Sequence, residues 1–195
     1  MFSCLYNESR SAKEFDMLTS PLTTSLKTFL SAFSEHEGEE WISGEWMARI
    51  RGGFLHSLII KRLFVLLLAL EQQGLGEVYQ ETAFVVTPPA QCVKGSRIPD
   101  VMYTKMERLT SYRQNTPDLA IEVISPNDQY VDVVKKADLY LQDGVQRVWL
   151  VEPQSQIITV QSAGSTQQIY RVGDTLTEDG LLPGLGTALR ALFDD

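Results

Sequence analysis

The sequence has 195 residues, of which 44% are hydrophobic and 22% are charged, so a disordered chain is disfavoured and a sizeable core is expected. The formal net charge of -8 argues against indiscriminate binding to nucleic-acid backbones, which requires a positive surface. A local basic groove is still compatible with this charge.

Residues 1–22 are weakly patterned, and we predict that they form an N-terminal extension to a single domain over residues 23–195. The extension lacks the apolar core of a signal peptide. The uninterrupted apolar run Leu63–Leu70 is far shorter than the ~20 residues that cross a membrane. Cys4 and Cys92 have neither metal-ligand nor redox spacing. We therefore expect a soluble cytoplasmic protein with free thiols.

The first part of the predicted domain carries two helices and a hairpin. Thr24 or Ser25 is suited to cap the first helix, and a Ser-Gly pair marks the turn of the hairpin. The second half of the longer helix is apolar on nearly every side, so we expect it to pack against a sheet in the core. The predicted positions are Leu26–Phe33 for the first helix, Trp41–Ile50 for the hairpin and Phe54–Gln73 for the long helix.

Six later segments alternate or run apolar as strands do: Glu77–Thr87, Arg97–Tyr103, Leu119–Ile124, Val145–Val151, Ile157–Val160 and Gln168–Val172. A helix over Asp128–Gln142, ended by Gly144, separates the third strand from the fourth. A short amphipathic helix is expected within the tail, Leu181–Phe193. This order of elements predicts an α/β fold with a mixed sheet and helices packed on it.

Two carboxylates stand beside strongly apolar residues in these predicted strands. Asp100 follows a proline near a strand start, and Glu122 lies within the apolar strand Leu119–Ile124. Burying a carboxylate is costly unless a partner or a metal compensates its charge. Because Mg²⁺ takes oxygen ligands, usually one or two of them protein carboxylates, the pair predicts a metal site.

A lysine near such a site would orient the attacking water or neutralise the developing oxyanion. Lys135 and Lys136 lie on the predicted helix that follows Glu122. Asp132 and Lys136 are four residues apart, so they share a helix face and are expected to be able to pair.

Each candidate also has a plain structural interpretation. Asp100 suits a turn or a cap, Lys136 suits a solvated helix surface, and alternation places Glu122 opposite its strand neighbours on a face that could be solvent. We interpret His56, near the start of the long helix, as a packed or capping histidine rather than a ligand. Similar interpretations apply to Asp118 and Asp128 as loop or cap residues, to Tyr140 and Trp149 as core residues, and to Arg97, Arg108 and Arg113 as solvated arginines that could touch phosphates.

The most specific pattern lies between Pro99 and Pro153, where the sequence contains PD, PDLAIEVISPND, DVVKKADLY and GVQRVWLVEP in that order. The pattern resembles the Uma-two family of restriction endonucleases, which belongs to the PD-(D/E)-x-K nuclease superfamily. The likeness runs from about Leu26 to Phe193. His56, the segment Trp41–Glu45 and the closing LPGL also resemble landmarks of that family.

The resemblance implies a restriction-endonuclease-like core, with a central mixed sheet flanked by helices. It implies that Asp100 matches the motif's aspartate and Glu122 its acidic partner. The superfamily places its lysine two residues after that acid, where this sequence has Ile124. Members of the Uma-two family typically carry a lysine on the next helix, where Lys136 matches and Lys135 is a close rival. Because related folds often dimerise to cut two strands, a homodimer is expected by analogy.

Three functions are open at this point. The first is a metal-dependent endonuclease acting on DNA, with Mg²⁺ (or Mn²⁺) held by Asp100, Glu122 and the backbone carbonyl of Val123, and with Lys136 assisting the water. The displaced lysine and the acidic charge favour the second, a catalytically inactive binding or assembly module with the nuclease fold. The third is a hydrolase of another phosphate ester. The sequence indicates no recognition site, because no helix-turn-helix, zinc or arginine-rich reader is recognisable.

Overall fold

A computed structural model describes residues 24–49, 52–86, 92–105, 116–164, 167–178 and 180–194. The helices within them are α1 (Leu26–Phe33), α2 (Phe54–Gln72), α3 (Tyr130–Gln142) and α4 (Arg190–Phe193). The strands are β1 (Thr24–Ser25), β2 (Glu39–Ile42), β3 (Glu45–Ala48), β4 (Gly76–Gln80), β5 (Phe84–Val86), β6 (Cys92–Val93), β7 (Gly95–Arg97), β8 (Val101–Lys105), β9 (Leu119–Val123), β10 (Arg147–Glu152), β11 (Ile157–Gln161), β12 (Gln168–Arg171), β13 (Thr175–Thr177) and β14 (Gly186–Ala188). The predicted extension over residues 1–22 lies outside the described residues.

The chain forms two compact units. The first contains the described parts of Met1–Arg49 and Ala83–Ile98, and the second contains those of Ile50–Thr82 and Pro99–Asp195. Each unit therefore combines segments that are distant in sequence. The single domain predicted over residues 23–195 stays a prediction.

The second unit is built on a six-stranded sheet with the order β12-β11-β10-β9-β8-β4. Strands β9 and β10 are parallel, and the other neighbours in the sheet are antiparallel. Since parallel neighbours need a crossover connection, α3 fills that role between β9 and β10. The predicted α/β fold with a central mixed sheet and flanking helices is confirmed.

The two sides of the central strand β9 meet different helices. Leu119, Ile121 and Val123 are buried in one apolar cluster with α2 residues such as Leu63 and Leu67. Because side chains alternate along a strand, Glu122 points to the other side. Helix α3, which packs on β10, covers that side. The sheet is therefore enclosed on both faces where Glu122 lies, which fits the continuous apolar run of β9.

The first unit consists of α1 and three two-stranded sheets, β1-β6, β2-β3 and β5-β7. Ser25 caps α1, since its hydroxyl oxygen accepts a hydrogen bond from the Thr28 N–H at 3.1 Å. The predicted hairpin is present, and Ser43 and Gly44 form its turn with positive φ angles of 52° and 88°. The core of the first unit is largely aromatic and contains Phe29 packed against Trp41 and Trp46.

Two predicted strands were wrong, because each is divided between the two units. The segment predicted as Glu77–Thr87 forms β4 and β5, and Arg97–Tyr103 is divided between β7 and β8. Glu81 breaks the first with a φ of 45°. Pro99, which has no N–H to extend a ladder, breaks the second. Strands β4 and β8 then pair in the second unit, while β5 and β7 pair in the first.

The remaining elements follow the predictions closely. Helix α2 ends one residue before the prediction, and Gly74 after it adopts a φ of 73°. Helix α3 begins two residues later than predicted and is followed by Gly144 with a φ of 100°. The last two of the six predicted strands are present as β11 and β12, which pair antiparallel. The tail contains the expected short helix, α4, but the β13-β14 pair that precedes it was not predicted.

Candidate active site

Two side chains of α3 contact the Glu122 carboxylate. Its carboxylate Oε1 lies 2.9 Å from Lys136 Nζ and also accepts a hydrogen bond from the Tyr140 hydroxyl. Lys136 and Tyr140 are four residues apart, so they occupy the same face of α3. The side chains of Glu122 and Lys136 are only 11% and 20% exposed, and Tyr140 is buried. In this low-dielectric setting the ammonium and the hydroxyl compensate a charge that would otherwise be expensive to bury.

The structure distinguishes between the two neighbouring lysines. Lys135 Nζ lies 3.1 Å from Asp132 Oδ1, and its side chain is 69% exposed. Asp132, which the sequence allows to pair with Lys136, thus pairs with Lys135, and Lys136 pairs with Glu122. A step of one residue turns a helix by about 100°, so Lys135 is directed to solvent when Lys136 is directed to the sheet. Of these two lysines, Lys136 contacts Glu122 and Lys135 does not.

Asp100 lies just before β8 and is buried. Its Oδ2 accepts a hydrogen bond from the Val123 N–H at 2.8 Å, and the same oxygen lies 3.4 Å from His56 Nε2. The Asp100 N–H donates to the Ile121 carbonyl at 3.1 Å. The side chain and the main chain of Asp100 are therefore both fixed to β9.

The two carboxylates share one pattern. Each has one oxygen that contacts two donor groups: Lys136 and Tyr140 for Glu122, and the Val123 N–H and His56 for Asp100. Because Val123 N belongs to the peptide that joins it to Glu122, the Asp100 carboxylate lies against that peptide. Convergence of both acids and the Val123 carbonyl on one cation stays a prediction.

The donor set fits a magnesium-type ion better than a zinc-type ion. Across the described residues there is no group of three or more His, Cys, Asp and Glu side chains that could hold a metal. Structural zinc sites need such closed sets, whereas Mg²⁺ usually uses one or two carboxylates and keeps several waters. Asp100 and Glu122, with a backbone carbonyl, supply oxygen atoms of the required type.

The comparisons with known proteins concern the chain as a whole. The family model described as "Uma2: Putative restriction endonuclease" matches residues 31–190. The chain belongs to the Uma2 family. The resemblance noted in the sequence, to the Uma-two family, is thereby confirmed.

A solved structure with a similar fold is described as a "putative nuclease belonging to DUF820" from Anabaena variabilis ATCC 29413. It is 20% identical, with a TM-score of 0.69, and the match covers 80% of this chain and 89% of that one. This likeness confirms the restriction-endonuclease-like fold. A second, described as "cryoEM structure DrdV-DNA complex", is 17% identical over 72% of this chain and 14% of that one, with a TM-score of 0.33. No curated protein matches the chain.

Two residues of this Uma2-family chain contact the acids although the sequence reading gave them structural roles. Tyr140 is a core residue as predicted, yet its hydroxyl also contacts Glu122. His56 is mostly enclosed as predicted, but no side chain caps α2, whose N-cap is Gly53. The spacing of Tyr140 from Lys136 was a signal that both serve one acid. Nothing local in the sequence connects His56 to Asp100.

The other residues singled out in the sequence serve the fold. Asp118 accepts hydrogen bonds from the Lys105 N–H at 2.9 Å and from the Gln146 side chain, so it joins the end of β8 to the residue before β10. Asp128 accepts one from the Ser125 N–H at 2.7 Å, as a turn residue does. The interpretation of Arg97 as a solvated arginine was wrong, because it is 5% exposed and donates to the Trp41 and Ser96 carbonyls. Arg108 and Arg113 lie outside the described residues.

None of the helices in the described ranges is long and apolar enough to span a membrane.

Proposed function

We propose that this Uma2-family chain is a divalent-metal-dependent endonuclease that hydrolyses phosphodiester bonds in DNA. The observation that carries the proposal is the Glu122 carboxylate, which is buried in the central sheet and paired at 2.9 Å with an amine from α3. The second acid, Asp100, is bonded to the next peptide along β9. An acid, a second acid and a lysine therefore lie on neighbouring elements of a restriction-endonuclease-like fold.

In this proposal the acids hold a Mg²⁺ or Mn²⁺ ion together with the Val123 carbonyl. When bound, the ion would supply charge stabilisation to a phosphate and lower the proton affinity of a water. The contacts of Asp100 Oδ2 and Glu122 Oε1 fix the direction of each carboxylate before an ion arrives. Such preorganisation limits the reorganisation that binding would otherwise require.

Lys136 takes the part that the superfamily gives to a lysine two residues after the acid. Position 124 follows Glu122 by two, so side chains at both positions point to the same side of an extended strand. Lys136 reaches that side from α3, and Ile124, the residue after β9, stands where the superfamily has its lysine. The Lys136 ammonium donates hydrogen bonds to the attacking water or to phosphate oxygens, which neutralises the charge that develops there. Tyr140 positions Glu122 and does not touch the substrate.

The test is cleavage of supercoiled, linear and single-stranded DNA by the purified protein in Mg²⁺ or Mn²⁺. We expect cleavage that stops with a chelator and in Asp100→Asn, Glu122→Gln and Lys136→Met, while Lys135→Met remains active. Hydrolysis of a small phosphodiester without cleavage of DNA would replace DNA with another phosphate ester. A folded protein that neither cleaves nor binds metal would end the proposal.

A second candidate, an inactive binding or assembly module, is favoured by one observation. Lys136 already compensates the charge of Glu122, so the buried acid is stable without a metal. The net charge of -8 also gives the chain little general attraction to DNA. Metal titration separates the two functions, because a folded module that takes up no Mn²⁺ is not the proposed enzyme.

The proposal extends to the assembly and location of the protein. A homodimer in the cytoplasm would bring two sites to the two strands of a duplex. Sedimentation velocity tests this part, since a monomer at the concentrations where DNA is cleaved would contradict it.

A further inference from the structure

We propose that His56 is a positioning residue for Asp100, and that position 52 is a glycine because the imidazole occupies the space of a side chain there. This inference rests on the proposed function, in which Asp100 holds the metal. His56 Nε2 lies 3.4 Å from Asp100 Oδ2, and the His56 side chain is 12% exposed. The contact is longer than the ~3.0 Å of a typical N–H···O bond.

Gly52 and Gly53 precede α2, but only one of them faces the imidazole. A Cβ added to Gly52 would overlap the His56 ring, whereas a Cβ added to Gly53 would meet no atom within 4 Å. Gly52 therefore leaves the room in which the ring lies, and an alanine there would push it away. The pair offers a substitution and a matched control one residue apart.

The position of His56 at the start of α2 brings its imidazole to both Asp100 and Gly52. The helix begins at Phe54, so His56 is in the first turn. An ionised carboxylate only accepts hydrogen bonds, so the imidazole nitrogen that faces it must be the donor. His56 Nε2 faces Asp100, and Nδ1 lies on the Gly52 side.

This contact fixes the rotation of the Asp100 carboxylate. Asp100 Oδ2 already accepts a hydrogen bond from the Val123 N–H, and His56 approaches the same oxygen from α2. These two contacts from different elements together fix the orientation of the carboxylate. Outer residues that orient metal ligands typically change metal affinity by about 10–100-fold when they are removed. His56 has this effect on Asp100 without binding the metal itself.

Manganese affinity tests the inference in the full-length protein. We expect His56→Ala to weaken binding by about tenfold and His56→Gln, which retains a side-chain N–H, to restore most of it. Gly52→Ala should weaken binding as His56→Ala does, with no further loss in the double variant. Gly53→Ser should bind as the wild type does. Equal affinity in Gly52→Ala and Gly53→Ser, or no rescue by Gln, would overturn the inference while leaving the proposed function intact.

Two readouts need no metal, so they decide the inference even if the proposed function fails. Long-range ¹H–¹⁵N spectra should show His56 as the Nε2–H tautomer, and the Nδ1–H tautomer would contradict the donation to Asp100. Unfolding of His56→Ala, Asp100→Asn and the double variant should show coupling between the two positions. Additive losses would show that the residues are neighbours without a positioning contact.

Discussion

Removal of the Lys136 amine should destabilise the protein far more than removal of the neighbouring Lys135 amine. Loss of one partner from a buried ion pair costs about 3–5 kcal/mol, because a buried charge is left uncompensated. Lys136 is one-fifth exposed, and Tyr140 still donates to Glu122, so we expect about 2 kcal/mol for Lys136→Met. Lys135 pairs with Asp132 on the surface, and its loss should cost about 0.3 kcal/mol.

Urea unfolding with a chelator present, followed by far-ultraviolet circular dichroism, measures this difference. With an m-value of about 2 kcal/mol per M, the midpoint should fall by about 1 M for Lys136→Met and by about 0.15 M for Lys135→Met. In a Glu122→Gln background the cost of Lys136→Met should shrink, because the charge that it compensates is gone. Equal midpoints for the two lysine variants would refute the reasoning.

Three further changes probe the same unit by urea unfolding. Tyr140→Phe removes a buried donor to Glu122 and should cost about 1.5–3 kcal/mol; a loss below about 0.5 kcal/mol would show that the hydroxyl contributes little. Gly144→Ala should cost about 1 kcal/mol through backbone strain alone, since φ is 100° and no atom lies near an added Cβ, so an unchanged midpoint would contradict it. Glu178→Gln should cost about 1–3 kcal/mol, because the Glu178 carboxylate accepts hydrogen bonds from the Arg147 and Trp149 side chains. An unchanged free energy of unfolding would show that these two hydrogen bonds do not contribute to stability.

Much of the fold follows from local periodicity. The long, largely apolar run of α2, the apolar stripe of α3 and the continuous apolar run of β9 each carry their own signal over enough residues to be recognised. The two divided strands were not recognised in this way. Neither Gly nor Pro stands near Glu81 to mark where the chain leaves one sheet and enters another, whereas Pro99 is a local signal against a continuous second strand.

The residues of the candidate site also differ in whether local sequence is enough to identify them. Glu122 was identified because a carboxylate inside an apolar strand is anomalous on physical grounds. The choice between Lys135 and Lys136 depends on how α3 is rotated about its axis, and tertiary packing sets this rotation. The contact of His56 with Asp100 joins distant parts of the chain, and only the folded structure brings them together.

Calorimetric titration of the folded wild-type protein with Mn²⁺ tests the proposed metal site most directly. We expect one ion per chain, with affinity reduced at least about tenfold in Asp100→Asn and in Glu122→Gln. Lys135→Met serves as the control and should bind as the wild type does. Absence of binding at millimolar Mn²⁺, or equal affinity in the wild type and both acid variants, would contradict the assignment of these acids to a metal.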